Sequence, residues 1–87
     1  MKLVCIPAYN EESYIQDVIE KSLPYADKVI VCNDGSTDDT KNVAKQAGAV
    51  VLSHKKNQGY GAAISTLFDY ARKENAQIMV TIDGDSQ

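Results

Sequence analysis

The chain has 87 residues, 44% of them hydrophobic and 24% charged, a makeup that fits one small globular domain over residues 1–87 and leaves no room for a second. Its formal net charge is −3, with nine Lys and Arg residues scattered singly or in pairs. That pattern argues against a nucleic-acid partner, since such surfaces concentrate basic groups to displace phosphate counterions.

No apolar stretch reaches the roughly 18–20 residues of a membrane-spanning helix, and the apolar part of "MKLVCIPAYN" is short for a signal peptide, so a cytoplasmic protein is expected. Cys5 and Cys32 lie far apart, each at the end of an apolar run, with neither metal-ligand nor redox spacing. They read as buried thiols.

In chain order, the first predicted strand is "KLVCI" (Lys2 to Ile6). A helix follows that can start near Asn10, a good capping residue. It carries Ile15, Val18, Ile19 and Leu23 on one face and ends by Pro24. The second strand is "KVIVC" (Lys28 to Cys32), and "STDD" opens a helix with Val43, Ala44 and Ala47 facing inward and Gly48 as its stop. The third strand is "AVVLS" (Ala49 to Ser53). The third helix places Tyr60, Ala63, Ile64, Leu67, Phe68 and Ala71 at the spacing of a buried stripe. The fourth strand is "QIMVTI" (Gln77 to Ile82). All four strands are apolar on consecutive residues, the pattern of parallel strands covered on both faces.

Four strands alternating with three helices predict an α/β domain with right-handed crossovers: a three-layer, Rossmann-like parallel sheet. In such a sheet the loops leaving the strand ends gather along one edge, where ligands bind beside the point at which strand order reverses. The polar motifs fall there: "PAYNEE" after the first strand, "NDGSTDD" after the second, "HKKNQGYG" after the third and "DGDSQ" after the fourth.

Asp83 and Asp85 flank Gly84, which lets both carboxylates approach one point. Two hard oxygen ligands side by side suit Mg²⁺ or Mn²⁺, with a diphosphate completing the coordination and Gln87 able to add a carbonyl oxygen. A solvated turn would use the same residues. Asp34 ends its strand beside Gly35, whose tight turn is expected to leave the carboxylate exposed and free to accept ring N–H groups of a nucleobase, while Asp38 and Asp39 serve the helix start. Pro7 directs the backbone out of the sheet, Tyr9 offers a flat face to a base or ribose, and Glu11 can accept ribose hydroxyls. Glu12 is assigned to the helix dipole. His54, Lys55 and Lys56 read as a solvated loop.

The ordered set "PAYNEE", "VIVCNDGSTDDT", "NQGYGAAI" and "DGDSQ" resembles the family 2 glycosyltransferases over the whole chain, and within them the dolichol- and polyprenol-phosphate mannosyl- and glucosyltransferases. The resemblance implies the N-terminal half of a GT-A fold and transfer of a sugar from a UDP- or GDP-sugar to an acceptor, a polyprenyl phosphate among the candidates. It implies nucleotide contacts from Pro7, Tyr9, Glu11, Cys32 and Asp34, a metal-and-diphosphate motif at Asp83, Gly84 and Asp85, and Gln87 as a further metal ligand. The family often has two acidic residues before the Gly of the second motif, and here the first is Asn33.

General base and acceptor pocket come, in this family, from segments after the "DGD" motif. No residue of the chain is therefore assigned as catalytic, and the 87 residues are expected to be the donor-binding part of a longer transferase, in its full length at the cytoplasmic face of a membrane. Two other readings compete. A non-catalytic nucleotide-binding or self-associating module would use the apolar edge of Gln77 to Ile82 to recruit a second copy. A dinucleotide-binding enzyme fits poorly, because no Gly-rich phosphate loop follows the first strand.

Overall fold

A computed structural model describes residues 1–82. In chain order it contains β1 (Lys2–Ala8), α1 (Ile15–Ser22), a 3₁₀ turn (Leu23–Tyr25), β2 (Lys28–Asp34), α2 (Thr40–Gln46), β3 (Val50–His54), α3 (Tyr60–Lys73) and β4 (Ile78–Thr81). The strands form one sheet in the order β3-β2-β1-β4, every neighbouring pair parallel. The α/β class and the alternation expected from the sequence are those observed.

Alternate residues of the two central strands face opposite layers. Val4, Ile6 and Ala8 with Val29 and Val31 pack against Ile15, Val18 and Ile19 of α1 and Ala44 of α2. Leu3, Cys5, Ile30 and Cys32 pack against Ala63, Leu67 and Ala71 of α3. Helices thus cover both faces, and this is why the strand sequences are apolar without alternation. The chain steps from β1 to β2 to β3, then α3 crosses the opposite face and delivers β4 to the far side of β1. Strand order therefore reverses beside β1, and in open sheets of this kind the C-terminal strand ends at such a reversal are where ligands bind.

Several local expectations are corrected. Coverage on both faces holds for β1 and β2 but not for the edge strands, where Val50, Ile78 and Val80 are exposed. Asn10 does not cap α1. The helix begins at Ile15, with Tyr14 at its N-cap and no side-chain cap, because Asn10 adopts a left-handed conformation (φ 54°) and turns its side chain to a neighbouring loop. Tyr60 and Phe68 fall outside the buried stripe and are 63% and 56% exposed: α3 rests on the sheet along Ala63, Leu67 and Ala71, Phe68 lies about 100° around the helix from that line, and Tyr60 is the first residue of the helix, ahead of the point where the stripe begins. Gly48 stops α2 as expected, with φ 105° and its N–H donated to the Lys45 carbonyl (3.1 Å).

Candidate functional site

Three loops leave the C-terminal edge of the sheet among the described residues: 9–14 after β1, 35–39 after β2 and 55–59 after β3. The first two are joined by a ladder of hydrogen bonds. Asn10 Oδ1 accepts the Thr37 amide (2.8 Å) and the Thr37 hydroxyl (3.3 Å), and the Asn10 amide donates to Ser36 Oγ (3.0 Å). The Glu11 amide donates to Thr40 Oγ1 (2.9 Å) and the Glu12 amide to Asp38 Oδ2 (3.3 Å). Asp38 Oδ1 in turn accepts both the amide (3.0 Å) and the hydroxyl of Thr40. Burial alone would raise the Asp38 pKa, but the bonds from Thr40 and Glu12 outweigh it and hold the carboxylate below its ordinary range. The hydroxyl and acidic residues of "STDDT" therefore order "PAYNEE" as well as opening α2.

The second and third loops meet at Asp34, and here the structure corrects the sequence reading. Asp34 is not exposed: its side chain is 5% accessible. Oδ1 accepts a hydrogen bond from His54 Nδ1 (2.7 Å) and another from the Gln58 amide (2.9 Å), and Oδ2 accepts the Gly59 amide (2.9 Å). Burial works to raise the Asp34 pKa; the bonds from His54, Gln58 and Gly59 prevail, and the carboxylate lies below its ordinary range. Gly35 (φ 70°) has its backbone against that of Lys56 and Asn57.

His54 is likewise not part of a solvated loop. It is the last residue of β3, with a side chain 12% accessible. Its Nε2 meets Thr66 Oγ1 of α3 at 2.8 Å and stands 3.8 Å from Cys32 Sγ. The parallel register sets Asp34 directly beside His54, a pairing that period-2 reasoning on either strand alone cannot supply.

Cys32 is fully buried, as expected for a structural thiol. This corrects its assignment as a nucleotide contact, because it lies under the rim with no surface to offer a ligand. Burial, aided by the Asp34 charge, pushes its pKa up to about 11. Asn33 shapes the turn: Oδ1 accepts the Ser36 amide (3.2 Å) and Nδ2 donates to Ser53 Oγ (3.3 Å).

Pro7 is half-buried at the end of β1, paired in register with Cys32. Tyr9, just beyond, is 44% exposed. Glu11 has its amide on Thr40, and its carbonyl accepts the amides of Tyr14 and Ile15. β4 brings the chain to the same edge, where the Ile82 amide donates to the Cys5 carbonyl (3.1 Å), two residues before Pro7. Asp83, Gly84, Asp85 and Gln87 follow in sequence and lie outside the described residues. Among the described residues no group of three or more His, Cys, Asp and Glu side chains is arranged to hold a metal ion; the metal ligands expected from the sequence, Asp83, Asp85 and Gln87, lie outside them, and their hard oxygens are a donor set that fits Mg²⁺ or Mn²⁺.

The chain is similar to known proteins along nearly its whole length. An uncharacterized protein of Methanocaldococcus jannaschii is 35% identical over 85 residues, covering 97% of this chain and 35% of that protein. The UDP-N-acetylglucosamine–dolichyl-phosphate N-acetylglucosaminyltransferase of Methanococcus voltae is 31% identical over 100 residues, covering 94% of this chain and 40% of that enzyme. The crystal structure of Mycobacterium tuberculosis glucosyl-3-phosphoglycerate synthase in complex with Mn²⁺, UDP-glucose and phosphoglyceric acid superposes with a TM-score of 0.80 at 34% identity, over 97% of this chain and 33% of that one. The same enzyme has also been crystallised with Mg²⁺ and UDP. The chain thus spans 35% and 40% of the two curated relatives. The family model described as glycosyl transferase family 2 matches residues 3–87, and with the strand-end motifs gathered on one edge of this sheet the chain belongs to that family.

Proposed function

We propose that the protein binds a nucleotide-diphosphate sugar, with uridine as the nucleoside, along the rim formed by Pro7, Tyr9, Glu11 and Asp34, as the donor-binding part of a metal-dependent glycosyltransferase. The observation that carries this reading is the hydrogen-bonded union of the three loops beside the strand-order reversal, in a fold matched by an enzyme crystallised with Mn²⁺ and UDP-glucose. Tyr9 presents an accessible ring for a base or ribose. A carboxylate offers about four lone-pair positions. At Asp34 three protein N–H groups fill three of them. About one acceptor position is left, which suits the single imide N–H of uracil better than the paired donors of guanine.

Asp83, Asp85 and Gln87 are the residues that would hold Mg²⁺ or Mn²⁺. When bound, the cation neutralises charge on the departing nucleotide diphosphate. The residues of the rim supply binding and orientation. The acceptor class is a phosphate-bearing molecule, a polyprenyl phosphate by analogy with the dolichyl-phosphate relative, which would place the whole enzyme at the cytoplasmic face of a membrane. Among the described residues no helix is long and apolar enough to cross one.

Calorimetric titration tests the reading. UDP should bind with Mn²⁺ or Mg²⁺ present and not with chelator, GDP should bind more weakly, and Asp83→Asn with Asp85→Asn should abolish the metal dependence. Metal-independent binding, or none, would reject it.

A second reading, self-association through β4, is favoured by the exposed Ile78 (53%) and Val80 (38%) on that edge strand. Sedimentation equilibrium showing a monomer at high concentration would remove it.

A further inference from the structure

We propose that His54 is a positioning residue: acting through Asp34, it fastens the β3–α3 loop to the end of β2, so that the shape of the rim depends on the imidazole. In its effect on ligand binding the proposal rests on the donor-binding reading above; in its effect on the loop it does not.

The geometry gives the imidazole a two-sided task. Nδ1 donates to Asp34 Oδ1 at 2.7 Å, and Nε2 lies 2.8 Å from the hydroxyl of Thr66 on α3. The first contact holds the carboxylate in the rotamer that receives the Gln58 and Gly59 amides, both at 2.9 Å. The second holds the ring itself, since a hydroxyl can donate to a neutral Nε2 or accept from a protonated one. One side chain therefore ties together the ends of β2 and β3, the loop between β3 and α3, and the body of α3.

Gly59 is the N-cap of α3, and no side chain from its own segment caps that helix. Asp34, from another strand, supplies the acceptor at this junction instead. Without the imidazole, Asp34 Oδ1 would lose the bond from His54 Nδ1, and the carboxylate would be free to leave the two amides. The loop carrying Lys55, Lys56 and Asn57 would then be held mainly by the close approach of Gly35 to Lys56 and Asn57. Loops of this kind open locally at a free energy set by such few bonds. The groups facing the ring are Asp34 from β2, Thr66 from α3 and Cys32 from β2, the last 3.8 Å away.

Amide hydrogen exchange read by NMR tests the proposal. His54→Ala should speed exchange of the Gln58 and Gly59 amides about tenfold relative to core amides such as that of Ile30, the effect expected when a hydrogen bond supporting a local closed state is lost. His54→Asn, whose amide nitrogen can stand where Nδ1 stands, should restore both amides to within about threefold of wild type. His54→Gln, whose amide reaches toward Thr66 rather than Asp34, should not. If His54→Ala does not fold, the Asn and Gln variants decide the matter alone, being polar and close in size.

Unchanged exchange at Gln58 and Gly59 in His54→Ala, or equal protection in Asn and Gln, would overturn the proposal. Titration with UDP and Mn²⁺ adds the functional arm: affinity should fall about tenfold in the Ala or Gln variant and recover in Asn, following the loop rather than the melting temperature. Failure of wild type to bind UDP would remove the donor reading, while the exchange data would still decide the role of His54.

Discussion

Gly35 and Lys56 lie backbone against backbone: a Cβ built on Gly35 would stand 2.2 Å from the Lys56 carbonyl carbon. Contacts that short do not occur between real atoms, and the obstacle is main chain, which cannot rotate aside. Gly35 also has φ 70°, a conformation that costs an L-residue roughly 1–2 kcal/mol. Gly35→Ala should therefore separate the loops after β2 and β3 and destabilise the protein by about 2 kcal/mol or more. Urea denaturation would show the loss as a lower midpoint, and a change under about 0.5 kcal/mol would contradict the packing described.

Thr40 joins the other pair of loops. It is fully buried; its hydroxyl receives the Glu11 amide and donates to Asp38. Thr40→Val keeps the shape and deletes the hydroxyl, leaving a part-buried amide and a carboxylate oxygen each short of a partner. The expected cost is about 1–3 kcal/mol. In a donor-binding assay the same variant should weaken UDP affinity, because residues 9–12 lose their anchor. Thermal unfolding and titration on one sample would separate the two effects.

Asp34 sets a pH dependence whose sign follows from its lowered pKa. Below the ordinary value of 3.8 the unfolded chain takes up a proton before the folded protein does. The contribution of Asp34 to stability is therefore complete above that value and is lost as pH falls through the lower folded-state value. Acid titration of unfolding free energy should show this loss, and Asp34→Asn should flatten it while lowering stability at neutral pH. An identical acid slope in the variant would exclude Asp34 as its source.

Cys5 and Cys32 should resist alkylation in the native state. Burial raises both pKa values to about 11, so the nucleophilic thiolate is scarce at pH 8 and the sulfurs are sterically shielded. Iodoacetamide labelling followed by mass spectrometry should find both unmodified in folded protein and both modified in denaturant. Fast native labelling at Cys32 would mean that the floor beneath His54 opens.

The alternation of apolar runs with helical stripes was enough to read the α/β class, the two-sided burial of β1 and β2 and the gathering of polar motifs on one sheet edge, because each depends on a residue's own face and its near neighbours in sequence. "PAYNEE" and "NDGSTDD" pointed to the rim in the same way. The individual roles were less legible. Asn10 has the chemistry of a helix cap, yet it turns to Thr37, since a left-handed residue between two loops finds better-placed donors across the gap than along its own chain. Phe68 fits an apolar helical pattern and still faces outward, because periodicity gives an angle on the helix but not the line along which the helix meets the sheet.

What the sequence by itself determined was therefore the set of elements, the two-sided burial of the central strands and the family. What only the tertiary structure decided was who meets whom: that His54 lies beside Asp34, that Asp34 holds Gln58 and Gly59, and that Cys32 is underneath. Strand register and loop-to-loop packing are set by the summed contacts of the whole domain, and no short window of residues contains the partner that a side chain will find.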